Sequence, residues 1–322
     1  MLAFVLRRLI QAVIVMVAVA FIAFLLFQYV GDPVVFLLGQ DAKPEQIREL
    51  RVALGLDQPF FVQFWHFLLN AAQGEFGLSL RQGAKVSSLL ASRFPATFEL
   101  ALVAAALALL IGIPMGVYTA LRRGSFMSQV FMTLSLLGVS LPTFLIGILL
   151  ILAFSVTAGW LPSYGRGELQ AIGWWRSGLL TVDGWRHMLL PALTLAAFQL
   201  ALIVRLARAE MMEVLRSDFI KFARARGIPE RTIRYAHALR NALLPVVTVI
   251  GLQLGSIVAF ALVTETVFQW PGLGALFAEA VAFADIPVIA AYLCFVAALF
   301  VVINLVVDLA YSRIDPRLKA AG

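Results

Sequence analysis

Asp218, Lys221, Arg224 and Arg226 share a ten-residue stretch with Phe219, Phe222, Ala223 and Ala225, and Gly227 closes it. Charges interleaved with aromatic and small residues at helical spacing suit docking, in which apolar anchors enter a groove and a basic rim fixes register. Glycine permits the left-handed turn that stops a helix. A short helix over 218–226 is therefore expected, with Phe219, Phe222 and Ala223 on one face, and Pro229 suits the first turn of a second helix. A solvated basic loop would account for the charge but not for the phenylalanines or the glycine. A second constellation is Gln253, Ser256 and Thr264 in an otherwise apolar run. At 100° per residue they fall within a sector of about 100°, a polar stripe that faces either a neighbouring helix or water. A third is the aromatic turn Phe268, Trp270, Pro271, Gly272. Catalytic chemistry finds no footing. No Gly-x-x-x-x-Gly-Lys-Ser/Thr cradle for nucleotide phosphates occurs, and there is no nucleophile–base set. Three histidines and the single Cys294 lie too far apart in sequence for a metal site.

The elements that must position these residues are membrane spans. Hydrophobic residues are 62% of the 322 and charged residues 13%, against roughly 45–50% and 25% in soluble domains, and mean hydropathy is +0.94. That excludes a soluble enzyme, a disordered chain and a fibrous protein. Six apolar runs approach the ~20 residues that cross a bilayer: about 9–29, 97–121, 130–157, 188–206, 244–268 and 288–311. Their length excludes a barrel, whose strands are about ten residues long. The first run is too long for a signal peptide and is read as a retained helix. The expected fold is an all-α membrane protein with six transmembrane helices, a structured external loop over 30–96 and a cytoplasmic loop over 207–243.

Charge sets the orientation. Arg7 and Arg8, Arg122 and Arg123, the nine Lys/Arg of 205–240, and Arg313, Arg317 and Lys319 share one side of a six-span chain. The positive-inside rule makes that side cytoplasmic, with both termini there. The net charge of +7 thus reports loops and not nucleic acid. A DNA-reading helix-turn-helix is disfavoured because spans pin both ends of the basic loop. In the external loop, short helices are expected over 45–56, 60–69 and 86–94, the last feeding span two at Pro95. Trp160, Trp174, Trp175, Trp185 and Tyr164 suit a lipid interface or a partner. Glu99, Glu265 and Asp308 sit near span ends, where charge costs less than at mid-helix. Gly112-Ile-Pro-Met-Gly116 and Gly251-Leu-Gln-Leu-Gly255 suit close helix packing.

Taken together, 213–248, with Ala223-Arg-Ala-Arg-Gly227 and His237-Ala-Leu-Arg-Asn-Ala-Leu-Leu-Pro245, resembles the coupling loop of permease subunits of bacterial ABC importers, most of all the dipeptide/oligopeptide class. Gly31-Asp-Pro33, Leu54-Gly-Leu-Asp-Gln-Pro59, Gly74-Glu-Phe-Gly-Leu-Ser79 and Val267-Phe-Gln-Trp-Pro-Gly-Leu-Gly274 agree with it. Where the general importer loop carries Glu-Ala-Ala, this chain has Lys221-Phe222-Ala223, as the peptide class does. The resemblance implies an inner-membrane permease that binds no cofactor, with ATP and Mg held by two cytoplasmic ATPase subunits. It also implies a second related permease, an extracytoplasmic substrate-binding protein and surrounding lipid as partners. ATPase coupling would fall to Asp218–Gly227, the path to Gln253, Ser256 and Thr264, and an external gate to Phe268, Trp270, Pro271 and Gly272. The implied cargo is a dipeptide or oligopeptide; glutathione, nickel chelates and opines travel by the same class. A proton-driven peptide carrier or channel acting alone is the competing reading.

Overall fold

The computed structural model describes residues 2–29, 43–53 and 56–314. In chain order the helices are α1 (Leu2–Tyr29), α2 (Pro44–Ala53), α3 (Phe60–Ala72), α4 (Val86–Leu121), α5 (Phe126–Ser140), α6 (Thr143–Leu150), α7 (Val182–Val214), α8 (Asp218–Ala225), α9 (Leu239–Val267), α10 (Leu273–Ala282) and α11 (Ile286–Ile314). A π-helical stretch, Ile151–Thr157, continues α6, and another, Ile233–Ala238, leads into α9. Among the described residues the all-α pattern is interrupted by a small antiparallel hairpin, β1 (Gln170–Ile172) with β2 (Trp175–Ser177), paired Gln170 to Ser177, and by an isolated antiparallel bridge from Leu78 to Lys85. Gly31-Asp32-Pro33, Leu54-Gly55, Arg317 and Lys319 lie outside the described residues.

Four described helices are long and apolar enough to cross a membrane: Leu6–Tyr29, Val86–Leu121, Val182–Val214 and Ile286–Val307. A fifth crossing is added if Phe126–Ser140 and Thr143–Thr157, bent by 117°, make one. The expected third span, 130–157, is therefore not one straight helix. Pro142 has no N–H and drives the preceding residue out of the helical region. Leu141 is extended, at φ −90° and ψ 137°. The expected fifth span lies in α9 and the fourth in α7. The helix begins ahead of the expected 188, at Val182, where the Thr181 hydroxyl accepts the Gly184 N–H at 3.0 Å.

The described residues form two compact units, 1–95 with 272–322, and 96–271. In the first unit α1 meets α11 through small residues: Ala20 and Ala23 cluster with Ala290 and Cys294, against Phe67, Leu68 and Phe76. Phe21 and Phe24 pack on Phe60 and Phe64 of α3. The segment 86–94 was expected as a separate helix, but it is the beginning of α4. Val86 and Leu90 are buried with Leu273, Leu276, Val288, Ala291 and Tyr292. That packing outweighs the ~3 kcal/mol an interior proline costs a helix at Pro95. Asp285 is buried and accepts from the Ser79 hydroxyl and from the N–H groups of Leu80 and Arg81, at 3.1 and 3.2 Å. The turn 79–83 is thereby tied to the start of α11.

The second unit packs α7 against α4, α5, α6 and α9. A Cβ on Gly112 would meet Ile203 Cγ2 at 2.8 Å, and one on Gly116 would meet Ala207 Cβ at 2.7 Å and the Val204 carbonyl at 2.8 Å. The first small-xxx-small motif is therefore a surface of close helix approach. At the far end of α4 and α7, Val117, Ala120 and Met211 form a core with Ile220, Ala223, Ile233, Ala238 and Ala242. This core seats α8.

Candidate coupling and path residues

Helix α8 is two turns long and ends as the sequence requires. Arg226 is the cap residue, and Gly227 follows at φ +77°. The Gly227 N–H donates to the Arg224 carbonyl at 2.9 Å, and the Ile228 N–H to the Ala223 carbonyl at 3.2 Å. This is the Schellman pairing, with Ile228 packed on the core that holds Ala223. Ile220 and Ala223 are the buried face, at 0% and 8% exposure, whereas Phe219 and Phe222 are 45% and 64% exposed. The expectation that Ala223 shares a face with both phenylalanines is thus corrected. Ala223 turns inward with Ile220 because Met211 and Ile233 wait there, and the two aromatic rings are left outside.

The charges around them are ordered. Lys221 donates to Asp218 at 2.8 Å, and Arg226 lies over the Phe222 ring at 5.6 Å. The Glu230 carboxylate accepts from Arg224 at 2.6 Å and Arg234 at 3.2 Å, bridging the glycine turn. The hydrogen bond from Arg224 holds Glu230 below the ordinary carboxylate range. Ala225 is exposed. The arrangement is a short helix bolted down on one side, presenting two phenylalanines inside a basic rim.

The other sequence-derived sites are more dispersed. Gln253 is half-buried on α9 and Ser256 lies one turn further, its side chain outside the described set. Thr264 is fully buried, and among the described residues its hydroxyl has no hydrogen-bond partner. Phe268 and Trp270 are buried at 1% and 0%. They follow α9 through a second Schellman turn, in which the Trp270 N–H reaches the Glu265 carbonyl at 2.8 Å. Gln269 takes the left-handed position at φ 46°. The Trp270 indole N–H donates to the Ala96 carbonyl at 3.0 Å. Pro271 and Gly272 continue the chain into α10.

Sequence reasoning missed the group beside that turn. Glu99, expected near a span end where charge costs less than at mid-helix, is 2% exposed. Its charge is offset by three partners: Arg166 at 2.7 Å, the Trp175 indole at 2.8 Å and the Gly178 N–H at 3.2 Å. Arg166 also donates to the Arg176 carbonyl at 2.8 Å and faces the Trp270 ring at 5.7 Å. Glu265 is likewise buried, accepting from the Thr97 hydroxyl at 2.6 Å. The available signal was Gly165-Arg166-Gly167, an arginine between two glycines, both at positive φ. Among the described residues no group of three or more His, Cys, Asp or Glu is placed to hold a metal ion.

Comparison with known proteins places this geometry. The family described as "Binding-protein-dependent transport system inner membrane component" matches residues 112–320, and its N-terminal companion, "Binding-prot-dependent transport system membrane comp, N-term", matches residues 1–101. The glutathione transport system permease protein GsiC of Escherichia coli (strain K12) is 38% identical over 320 residues, 99% of each chain. A putative peptide transport system permease protein of Brucella abortus (strain 2308) is 40% identical over 322 residues, again 99% of each. An inward-facing crystal structure of the MetNI methionine ABC transporter superposes with a TM-score of 0.52 at 18% identity, over 70% of this chain and 94% of that one. That last likeness is one of fold. Matched along nearly all its length, the chain belongs to the binding-protein-dependent transport system inner-membrane components and is a permease subunit of an ABC importer.

Proposed function

We propose that this permease moves short peptides, delivered by an extracytoplasmic binding protein, into the cytoplasm. The relatives' names support the cargo: peptides in one case, the tripeptide glutathione in the other. The working complex has a second related permease and two ATPase subunits that hold ATP and Mg. The chain crosses the bacterial inner membrane six times with both termini cytoplasmic, as the basic clusters require. Residues 218–227 transmit the ATPase stroke. The observation carrying this assignment is the pair Phe219 and Phe222, exposed on a helix whose opposite face is locked by Ile220 and Ala223. Gln253, Ser256 and Thr264 face the path, and Phe268–Gly272 closes it on the external side.

The test starts from the complex purified with its binding protein. Mass spectrometry of the bound ligand is expected to return short peptides; a nickel chelate or an opine refutes the cargo. Uptake into right-side-out vesicles loaded with ATP that survives vanadate enclosed with it refutes ATPase coupling. Single cysteines at 253, 256 and 264, with Cys294 replaced, are expected to react with a water-soluble thiol reagent in a vanadate-sensitive way. Three unreactive positions in both states assign the stripe to helix packing.

A further inference from the structure

The turn that follows α9 is held by more than its own backbone. Phe268 and Trp270 are both buried, and the residue between them, Gln269, sits at φ 46°. A side chain other than glycine is strained in that region and persists where its surroundings over-determine it. Three contacts do so here. Trp270 donates to the Ala96 carbonyl at 3.0 Å. The Phe268 carbonyl accepts the Gly165 N–H at 2.9 Å. The Arg166 guanidinium lies against the Trp270 ring, 5.7 Å from its centroid. Two of the three come from the loop 158–181.

That loop is fixed in turn by one carboxylate. Glu99 accepts from Arg166, from the Trp175 indole on β2 and from the Gly178 N–H. The two ends of β2 and the arginine that touches the turn therefore converge on a single buried side chain of α4. Among the described residues the Arg166 Nε has no partner although the side chain is 5% exposed. Nη2 donates to both Glu99 and the Arg176 carbonyl. Full hydrogen bonding is thus not what keeps the guanidinium in place; the charge pair and the contact with the indole do.

We propose that Glu99 and Arg166 are positioning residues. They hold the Phe268–Trp270 turn against the loop 158–181, so that turn and loop move as one body when the external side opens. The proposal rests on the reading of that turn as an external gate. Arg166 touches the turn, and Glu99 acts through Arg166.

The test uses the assembled transporter carrying Gln269→Cys, an exposed position on the turn, with Cys294→Ala as background. The rate of labelling by a membrane-impermeant thiol reagent is measured nucleotide-free and after vanadate trapping, together with ATP hydrolysis in the absence of binding protein. Arg166→Met is expected to raise the nucleotide-free labelling rate about thirtyfold, the scale of one desolvated cation–π contact, and to raise basal hydrolysis. Arg166→Lys keeps the charge pair and is expected to recover part of both. Arg166→Met alone strands a buried carboxylate, so Glu99→Gln/Arg166→Met removes both charges together while leaving an acceptor for Trp175 and Gly178. It is expected to assemble normally and still label fast. Assembled variants with parental labelling and parental basal hydrolysis overturn the proposal. Labelling in the parent that is the same in both nucleotide states sinks the gate reading instead, and the variant-to-parent ratio still reports on the positioning pair.

Discussion

Replacing Gly227 isolates one physical variable in the loop proposed to couple transport to ATP hydrolysis. Its φ is +77°, and among the described residues no atom beyond its chain neighbours lies within 4 Å of where a Cβ would stand. Any substitution therefore fits sterically against its surroundings, and the penalty is confined to the backbone. Alanine in the left-handed region costs roughly 1–2 kcal/mol and asparagine less, because its side chain bonds locally there. Valine is a genuine outlier at positive φ, and the strain is on the order of 1–3 kcal/mol. If the turn relaxes, the Ile228 N–H leaves the Ala223 carbonyl and α8 loses its terminus, while Phe219 and Phe222 change direction. At about 1.4 kcal/mol per decade, valine depletes the correctly set loop roughly five- to a hundredfold. Asparagine and valine are of similar volume, so comparing them separates backbone conformation from bulk. The assay is binding-protein-stimulated ATP hydrolysis and uptake in proteoliposomes, normalised to permease inserted. The expected order is Gly, Asn, Ala, Val, with insertion unchanged throughout. Full stimulation in the valine variant, or equal damage by asparagine and valine, refutes the reasoning.

Phe222→Ala is expected to weaken association with the ATPase subunits about ten- to a hundredfold, the worth of burying one phenylalanine on docking at ~1.5–3 kcal/mol, without lowering thermal stability. Ile220→Ala, made in the buried face of the same helix, is expected to do the reverse and destabilise by about 2–5 kcal/mol; affinity and melting measurements on both separate docking from core. Gly116→Val places a Cβ 2.7 Å from that of Ala207, and the forced separation of α4 from α7 is expected to cost at least ~1–3 kcal/mol in detergent unfolding; wild-type stability shows that the helices can move apart freely. Thr264→Val removes a buried hydroxyl that has no partner among the described residues. A packing role predicts stability unchanged or raised by about 1 kcal/mol with transport intact, whereas a path role predicts reduced uptake.

How far the sequence could be read depended on the range of the interaction. The end of α8 is decided within six residues by Gly227, and it was legible. Five prolines show the opposite case. Pro95, Pro114, Pro191 and Pro245 all sit inside helices, while Pro142 stands at the 117° break. Each reads alike locally, and the outcome is set by packing: the turns before Pro95 are anchored by Val86 and Leu90 in a core drawn from residues 273–292. The apolar set of α8 has the same ambiguity. Phe219, Ile220, Phe222 and Ala223 cover more than one face, and the choice of Ile220 as the inward residue is made by Met211 and Ile233. Glu99 and Arg166 are 67 positions apart, and nothing in the spacing of either announces the other.

Exposed apolar side chains mean different things in different parts of this chain. Val13, Ile14 and Leu110 are 61%, 62% and 74% exposed, and each lies within a helix long and apolar enough to span. Lipid tails are as apolar as these side chains, so their exposure in the isolated subunit is the solvated state. Phe219 and Phe222 reach comparable exposure in a helix that also carries Asp218, Lys221, Arg224 and Arg226. A charge in hydrocarbon costs ~2.5–3.5 kcal/mol at mid-helix, so four of them keep α8 in water, where two open aromatic rings have no solvent that suits them. Turning Ile220 and Ala223 inward uses up the only face the core offers. Under the docking role proposed for 218–227, the two rings enter a protein groove with carboxylates on its rim to meet Lys221, Arg224 and Arg226. On that proposal, the same side chains that hold α8 out of the membrane specify the charge of the surface that covers it.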